Sequence, residues 1–413
     1  MTSEGSIRWL RGKTLLLVWI LLTACTGSGG RAPTVDRPEP EGSQRSYALG
    51  AFPERPSAPL PTPLANQLQS ILAVAVASGR LPGITASVIV ADVGLWLGAA
   101  GTADGSTDLV PEAQFHTGSV TKTVIAAQVL RLIEVGAMSM DDRVAKHLPP
   151  DLRFDTNGAT VQELLSNRSG IASVDFWAFV DELGYDRHAV PIHPDHVWST
   201  ERYLELLEAL PTAKDTPPGT TFEYSNTNFD LLIMAIEHAT GEPMAKVLRG
   251  DVLARPGLER MIWQTEEHPS APVAAPLSRR WLADVTAAHE AGGGYLPSAF
   301  DGRDSLVADS PSLARWVYDL FGGRILSDQS LIAMSRAGGD GYGLGLWNDT
   351  REWDAGTTVL SGSGILMPAY SSIFYVLPEE GIVVVAQSNL ADSFRDFNRL
   401  TDVAHELVDA VRA

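Results

Sequence analysis

Apolar residues recur with the period of an amphipathic helix over residues 64–78. Alternating apolar residues then predict a strand hairpin, with strands at 83–91 and 94–100. The middle of the chain carries further helix patterns, which are separated by loops rich in Pro and Gly. These helices are predicted at 119–135, 161–166, 201–210 and 229–240.

Strand patterns return near the end of the chain and are followed by one more helix pattern. The strands are predicted at 357–361, 371–377 and 382–388, and the helix at 396–411. Because strands occupy the first and last segments of this region, we expect them to share one sheet. The predicted fold class is α+β: an antiparallel sheet flanked by N- and C-terminal helices, with a mostly helical lobe inserted over about residues 102–355.

The composition indicates a globular protein and argues against a nucleic-acid partner. The chain has 413 residues, of which 45% are hydrophobic and 20% charged, enough for one large domain or two smaller ones. Its formal net charge is -19, whereas phosphate binding requires an excess of Lys and Arg. We therefore expect no nucleic-acid partner.

The N-terminal residues have the pattern of an export signal. Basic residues precede an apolar run at 14–22, which is too short to span a membrane. The run leads into Leu22-Thr23-Ala24-Cys25, which holds the only cysteine of the chain and resembles a bacterial lipobox. The resemblance implies a lipoprotein signal peptide at 1–24, lipid attachment to Cys25 and a location on the extracytoplasmic face of a bacterial membrane. An ordinary signal peptide with an incidental cysteine is the alternative.

A segment rich in Pro, Gly, Ser and charge follows at residues 25–63. Such a composition cannot form a packed core and favours an extended conformation. We expect this segment to be a tether between the membrane and a domain at residues 64–413.

The tetrad Ser119-Val120-Thr121-Lys122 lies at the predicted start of a strongly apolar helix. Residues three apart share one helix face, so the Ser119 hydroxyl and the Lys122 amine are expected within hydrogen-bond reach. The helix start also supplies main-chain N–H groups beside the serine, as acyl transfer requires. The simpler interpretation is an N-capping serine followed by a solvated lysine. A helix that is apolar all round is buried, which favours the catalytic interpretation.

A second segment, Tyr224-Ser225-Asn226, lies on a predicted loop before the next helix. The Tyr224 phenol can relay a proton, and the Asn226 amide can hold a substrate carbonyl. Taken alone, the pair is better explained as the end of a turn before the helix.

Ser119-x-x-Lys122, Tyr224-x-Asn226 and a late strand ending in Ser361-Gly362 occur in the order of three known motifs. The chain resembles the serine β-lactamase and penicillin-binding protein superfamily, in the branch of class C β-lactamases, DD-peptidases and esterases. The resemblance implies that Ser119 is the nucleophile, that Lys122 and Tyr224 transfer its proton, and that Asn226 positions the substrate.

The third motif would add substrate-binding residues from its strand. The resemblance assigns this role to Ser361, Gly362 and Ser363, and it completes the oxyanion hole with the N–H groups of Ser119 and Ser363.

The third motif departs from the family pattern because it contains no cation. Where the family has Lys or His, this chain has Leu360, and a shift of the register by three residues places Ser363 there. An ion-paired contact contributes about 1.5 to 3 kcal/mol, so its loss should cost roughly ten- to a hundredfold in preference for carboxylate substrates. A second departure is Asn167, where the family usually has His, and no role is assigned to it.

Two other patterns are interpreted as loops. Pro194 opposes a helix within His193-Pro194-Asp195-His196, and Gly292-Gly293-Gly294 lacks the Lys-Ser/Thr pair of a phosphate loop. We therefore expect no metal and no cofactor.

The sequence thus predicts an extracytoplasmic serine hydrolase that is anchored by lipid and acts through an acyl-enzyme. Its substrate is expected to be a small molecule or a peptide. The sequence does not decide between an ester or amide, a D-Ala-D-Ala peptide and a β-lactam. The alternative is a catalytically silent binding lipoprotein that keeps the fold.

Overall fold

The computed structural model describes residues 48–173, 216–264, 266–269, 273–277, 306–350, 353, 356–366 and 369–413. The chain divides into two units, residues 1–44 and 45–413, and every described residue belongs to the second. Cys25, the helix predicted at 201–210 and the loops at 193–196 and 292–294 lie outside the described residues. Within the described ranges, no helix is both long and apolar enough to cross a bilayer.

The described residues form strands in two antiparallel sheets. The strands are β1 (Gly83–Val90), β2 (Gly94–Gly101), β3 (Gln114–His116), β4 (Ile262–Trp263), β5 (Leu306–Asp309), β6 (Trp347–Asn348), β7 (Leu360–Leu366), β8 (Tyr370–Leu377) and β9 (Ile382–Ser388). The large sheet has the order β2-β1-β9-β8-β7-β6, and the small one has the order β3-β5-β4.

The α-helices cover both faces of the large sheet and build the inserted lobe. They are α1 (Thr62–Ala77), α2 (Thr121–Glu134), α3 (Val161–Leu165), α4 (Asn226–Thr240), α5 (Met244–Gly250), α6 (Ser310–Phe321), α7 (Asp328–Ser335) and α8 (Phe394–Arg412). The predicted α+β fold, an antiparallel sheet flanked by N- and C-terminal helices plus a mostly helical lobe, is confirmed.

Two apolar clusters separate the layers of the molecule. On one face of the sheet, α1 and α8 pack against side chains such as Ala86 and Val384. On the other face, α2, α4 and α6 share a larger core. Helix α2 is buried on nearly all sides, as its uniformly apolar sequence predicts. Its first turn is therefore held rigidly between the sheet and the lobe.

Residues 48–60 pack against the domain, although their composition assigns them to the tether. The side chains of Phe52 and Leu60 are buried. Gly50 N donates to Phe321 O at 2.8 Å, and the Tyr318 hydroxyl donates to Pro53 O at 3.1 Å. Two apolar anchors and main-chain hydrogen bonds thus fix a segment whose many prolines suggested an extended, solvated chain.

The strand predicted at 357–361 lies instead at 360–366, as β7. The glycines at 362 and 364 have low strand propensity and conceal the second half of the strand in the sequence. Glycine is required at both positions for a steric reason, because a Cβ on residue 362 or 364 would collide with a neighbouring group. The register of the third motif depends on this shift.

We predict that Asp319→Ala lowers the free energy of unfolding by about 3 kcal/mol, as measured by urea denaturation. The Asp319 side chain is fully buried and pairs with Arg255 at 2.7 Å and with Arg55 at 3.3 Å. Both arginines are partly exposed, so water can solvate their charges once the Asp319 carboxylate is removed. We therefore expect a loss of stability at the lower end of the range for breaking a buried ion pair. Lys246→Ala, which breaks an exposed pair with Glu242, should hardly change stability. Equal effects of the two substitutions would contradict this prediction.

Candidate active site

Ser119 is the middle residue of a 3₁₀ helix, Gly118–Val120, that leads directly into α2. Gly118 has a φ of 54°, in the left-handed region that favours glycine. Thr117 fixes the entry to this turn, because its N and its Oγ1 both donate to Leu306 O at 2.9 Å. The half-buried Ser119 side chain is thereby presented at the junction of the two sheets and α2.

The Lys122 amine lies against the Ser119 hydroxyl. Lys122 Nζ donates to Ser119 Oγ at 2.9 Å, and the lysine side chain is 8% exposed. Aromatic faces flank the amine: Nζ lies 5.1 Å from the ring centre of Tyr224 and 5.5 Å from that of Phe229. The hydroxyl therefore has a basic group in direct contact, in surroundings from which water is largely excluded.

Tyr224 reaches the same place from the loop before α4. Its ring meets that of Tyr342 edge-on, with centres 6.0 Å apart, and lies parallel to that of Trp347 at 6.4 Å. Burial raises the pKa of the Tyr342 hydroxyl well above its ordinary value; nearby Tyr224 adds to the rise and contact with Asn167 opposes it. The structure thus brings Ser119, Lys122 and Tyr224 together.

Asn226 is the first residue of α4 and is exposed at the helix start. Its main-chain N donates to Ser173 Oγ at 3.2 Å. It lies two residues after Tyr224 on the side of the site formed by the lobe.

Strand β7 lies at Gly364 against the 3₁₀ turn Gly118–Val120 that carries Ser119, which we call the nucleophile turn. A Cβ on Gly364 would lie 2.0 Å from Thr117 O and 2.6 Å from Ser119 N, so no side chain fits there. Leu360 is fully buried in the larger core, and Ser361 Oγ donates to Asp349 Oδ2 at 2.6 Å. Leu360 and Ser361 are therefore engaged elsewhere, and Gly364 is the strand position that meets the turn carrying Ser119.

Gly362 and Ser363 lie between these positions. A Cβ on Gly362 would lie 2.2 Å from the Phe374 ring, so an aromatic side chain occupies the space over it. Ser363 faces the other side of the strand and is half-buried.

Beyond Ser361, the edge of β7 that faces β6 pairs with no other strand among the described residues, and it presents a main-chain donor that the sequence interpretation missed. Asp349 N donates to Val359 O at 2.9 Å. Because main-chain groups alternate in direction along a strand, Ser363 and Ile365 point to this same edge. Strand β6 pairs only with Leu360 and Ser361. A Cβ on Gly118 would lie 2.9 Å from Ile365 N, which places this N–H group next to the nucleophile turn.

The aromatic residues beside Tyr224 come from the loop that packs on α2. Thr123 Oγ1 donates to Gly345 O at 2.8 Å, and a Cβ on Gly345 would lie 2.6 Å from that of Ala126. This close contact brings Tyr342 and Trp347, on either side of Gly345, to the site. Neither residue was assigned a site role from the sequence.

The arrangement suits acyl transfer. It combines a serine hydroxyl, an amine in contact with it, a phenol beside the amine and two main-chain N–H groups next to the serine. Across the described ranges, no cluster of three or more His, Cys, Asp or Glu side chains is arranged to hold a metal ion.

The chain is similar to several known proteins. The model of the beta-lactamase family matches residues 68–409. The chain is 27% identical over 219 residues to the unguisins hydrolase ungD′ of Aspergillus campestris, an alignment that covers 50% of the chain and 38% of that protein. It is 29% identical over 191 residues to the esterase EstB of Burkholderia gladioli, covering 44% and 47%. The chain thus spans less than half the length of these curated relatives.

The same fold occurs in the D-amino acid amidase of Ochrobactrum anthropi SV3, solved with L-phenylalanine amide. The TM-score is 0.69 at 22% identity, and the match covers 85% of this chain and 99% of the amidase. At this identity the likeness concerns the fold alone.

We predict that Gly364→Ala slows the labelling of Ser119 by a fluorophosphonate probe by about a hundredfold, because the new methyl group displaces the Ser119 N–H. The rate is measured by intact mass spectrometry over time. Gly250→Ala is the matched control, because a Cβ there meets nothing within 4 Å. Unchanged labelling of Gly364→Ala would show that the contact between β7 and the turn does not set the geometry of the nucleophile.

Proposed function

The chain belongs to the beta-lactamase family of serine hydrolases, and we propose that it hydrolyses esters or amides through an acyl-enzyme on Ser119. One observation carries the proposal: a buried lysine whose Nζ donates to the Ser119 hydroxyl at 2.9 Å, beside the Tyr224 ring. A silent binding protein has no need for this contact, because a buried amine is costly to maintain.

In the proposed acylation step, Ser119 Oγ attacks the carbonyl carbon of the substrate while its proton passes to the Lys122 and Tyr224 pair. The electron pair of the carbonyl moves to its oxygen, and the N–H groups of Ser119 and Ile365 stabilise that oxyanion. The pair then returns the proton to the leaving group as its bond to the carbonyl carbon breaks. Water repeats these transfers to release the acid and restore Ser119.

We assign the second oxyanion donor to Ile365 rather than to Ser363. The support is that Ile365 N lies beside Gly118, the residue directly before the nucleophile. Ser363 points to the same free edge two residues earlier in the strand, where its N–H is suited to hold the substrate main chain. Asn226, at the start of α4, is the proposed contact for the acyl side.

The uncharged third motif supports substrates whose carboxylate is not held tightly. Gly362 and Leu360 precede Gly364 on the same face of β7, and neither carries a charge. Phe374 fills the space above Gly362, and Leu360 belongs to the core. A β-lactam or a D-Ala-D-Ala peptide would therefore lose an ionic contact that a plain ester or amide does not require. One relative is named an esterase, which is consistent with this preference, whereas others are named penicillin-binding proteins.

The proposed location is the extracytoplasmic face of a bacterial membrane, with a lipid on Cys25. Its support is the sequence pattern alone: an apolar run at 14–22 that ends in a lipobox-like tetrad with the single cysteine.

We predict that the protein hydrolyses a short-chain nitrophenyl ester, and that Ser119→Ala lowers kcat/KM by at least about a thousandfold. Ser335→Ala, which changes a half-buried serine at the end of α7, serves as the matched control and should retain activity. Intact mass should show an acyl adduct on the protein that Ser119→Ala lacks. If no ester, penicillin or cephalosporin forms an adduct, the enzyme proposal fails and the silent binding alternative stands.

We predict that the protein does not distinguish strongly between esters that differ only in a terminal carboxylate. Their kcat/KM values should agree within about tenfold, because the described positions of β7 beside Ser119 supply no cation to pair with the carboxylate. Leu360→Lys should leave this ratio unchanged and lower the Tm, since it buries an unpaired charge in the core. Leu360→Met is the control and should keep the Tm nearly unchanged. A carboxylate preference gained by Leu360→Lys would contradict the register that Gly364 defines.

A further inference from the structure

Asn167 makes hydrogen bonds on both sides of Tyr224. Its main-chain O accepts from Glu223 N at 2.8 Å, and its side-chain Oδ1 accepts from Ser225 N at 3.0 Å. Glu223 and Ser225 are the two residues that flank Tyr224 in the chain. One residue thus holds the main chain immediately before and immediately after the tyrosine.

The side chain of Asn167 is itself held rigidly. Asn228 Nδ2, from the first turn of α4, donates to the same Oδ1 at 2.9 Å. Asn228 Oδ1 in turn accepts from Ser169 Oγ at 2.5 Å. Asn167, Asn228 and Ser225 are completely buried, and buried networks of this kind fix a single arrangement of their members.

A third contact reaches the ring of Tyr224 indirectly. The Asn167 amide faces the hydroxyl of Tyr342, whose ring lies edge-on to that of Tyr224. Among the described residues, Asn167 Nδ2 makes no hydrogen bond of normal geometry. The Asn167 Oδ1 atom therefore accepts from Ser225 N in the loop of Tyr224, while Nδ2 is directed toward Tyr342, the aromatic neighbour of Tyr224.

We propose that Asn167 is the positioning residue that fixes the Tyr224 hydroxyl relative to Lys122 and Ser119. The proposal rests on the proposed function, in which Tyr224 moves the proton of Ser119. Tyr224 is 36% exposed and belongs to a loop, so packing alone leaves its phenol free to shift. A displacement of about 1 Å in a catalytic group costs about a hundredfold in rate.

The backbone of Asn167 explains why this residue type is suitable. Its φ is 54°, a left-handed conformation that Asn tolerates better than most residues. Glycine would also adopt this conformation and would keep the main-chain bond to Glu223, but it lacks Oδ1. Asn167→Gly therefore removes the side-chain contacts without straining the turn.

Asn157 provides a matched control within the same region. It is also left-handed, with a φ of 56°, and its Nδ2 donates to Ser169 O at 2.9 Å and to Thr216 O at 3.0 Å. These bonds anchor neighbouring segments but do not involve the residues that flank Tyr224. A merely structural asparagine should behave like Asn157.

The test compares Asn167→Gly, Asn157→Gly, Tyr224→Phe and the double variant Asn167→Gly/Tyr224→Phe, with a nitrophenyl ester as the substrate. We expect Asn167→Gly to lower kcat by about 30- to 100-fold while KM changes less than about threefold. Asn157→Gly should stay within about threefold of the parent in kcat. The double variant should be no slower than Tyr224→Phe alone, because Asn167 acts through the hydroxyl that this substitution removes.

Losses that multiply in the double variant would overturn the positioning role, and so would an equal loss of kcat in Asn157→Gly. If Asn167→Gly does not fold, Asn228→Ala takes its place in the same cycle. It removes the second donor to Asn167 Oδ1 and the acceptor of the Ser169 hydroxyl, and it leaves the Asn167 bonds to Glu223 and Ser225 in place. Ser119→Ala separates the two proposals. Full turnover by Ser119→Ala would overturn both the proposed function and the positioning role. If turnover requires Ser119 but the losses of Asn167→Gly and Tyr224→Phe multiply in the double variant, only the positioning role is overturned.

Discussion

No side chain fits between strand β7 and the turn that carries Ser119, and the geometry of the site depends on this contact between two main chains. A Cβ on Gly364 would lie 2.0 Å from Thr117 O, and one on Gly118 would lie 2.9 Å from Ile365 N. Two glycines therefore allow the edge of the large sheet to approach the start of α2. This approach places two main-chain N–H groups side by side, which a side chain at either position would separate.

The same contact ties the helical lobe to the sheet. The nucleophile turn continues into α2, which contacts α4, and α4 begins two residues after Tyr224. Lys122 belongs to the first turn of α2 and Tyr224 to the loop at the start of α4, so the proposed proton-transfer pair forms only where the lobe meets the sheet. The buried cluster of Asn167, Asn228 and Ser225 holds this junction from the lobe side. A catalytic site built this way requires both parts of the fold.

The sequence predicted the layout of the fold well because its long elements have clear periods. The strand hairpin, β8, β9 and the C-terminal helix lie within about two residues of their predicted positions. The contact between Lys122 and Ser119 follows from local helix geometry, which is why it was predictable.

The roles of Gly364 and Ile365 were not predictable in the same way. Their roles depend on the contact of two segments far apart in the chain, and the glycines that permit the contact have low strand propensity. Asn167 likewise showed only a departure from the family pattern, because its hydrogen bonds join a turn to a loop more than fifty residues later.

The electrostatics of the site follow from this geometry. The Lys122 amine lies between aromatic faces, and the strand positions beside it carry glycine and buried leucine rather than a second cation. The negative charge that develops on a substrate carbonyl would therefore be stabilised by fixed main-chain dipoles, which need no counterion. Such dipoles act on the reacting oxygen and contribute little to the binding of a distant carboxylate. Under the proposed function, a site with this arrangement would select substrates by the reactivity of their carbonyl group and by their shape, and less by their charge.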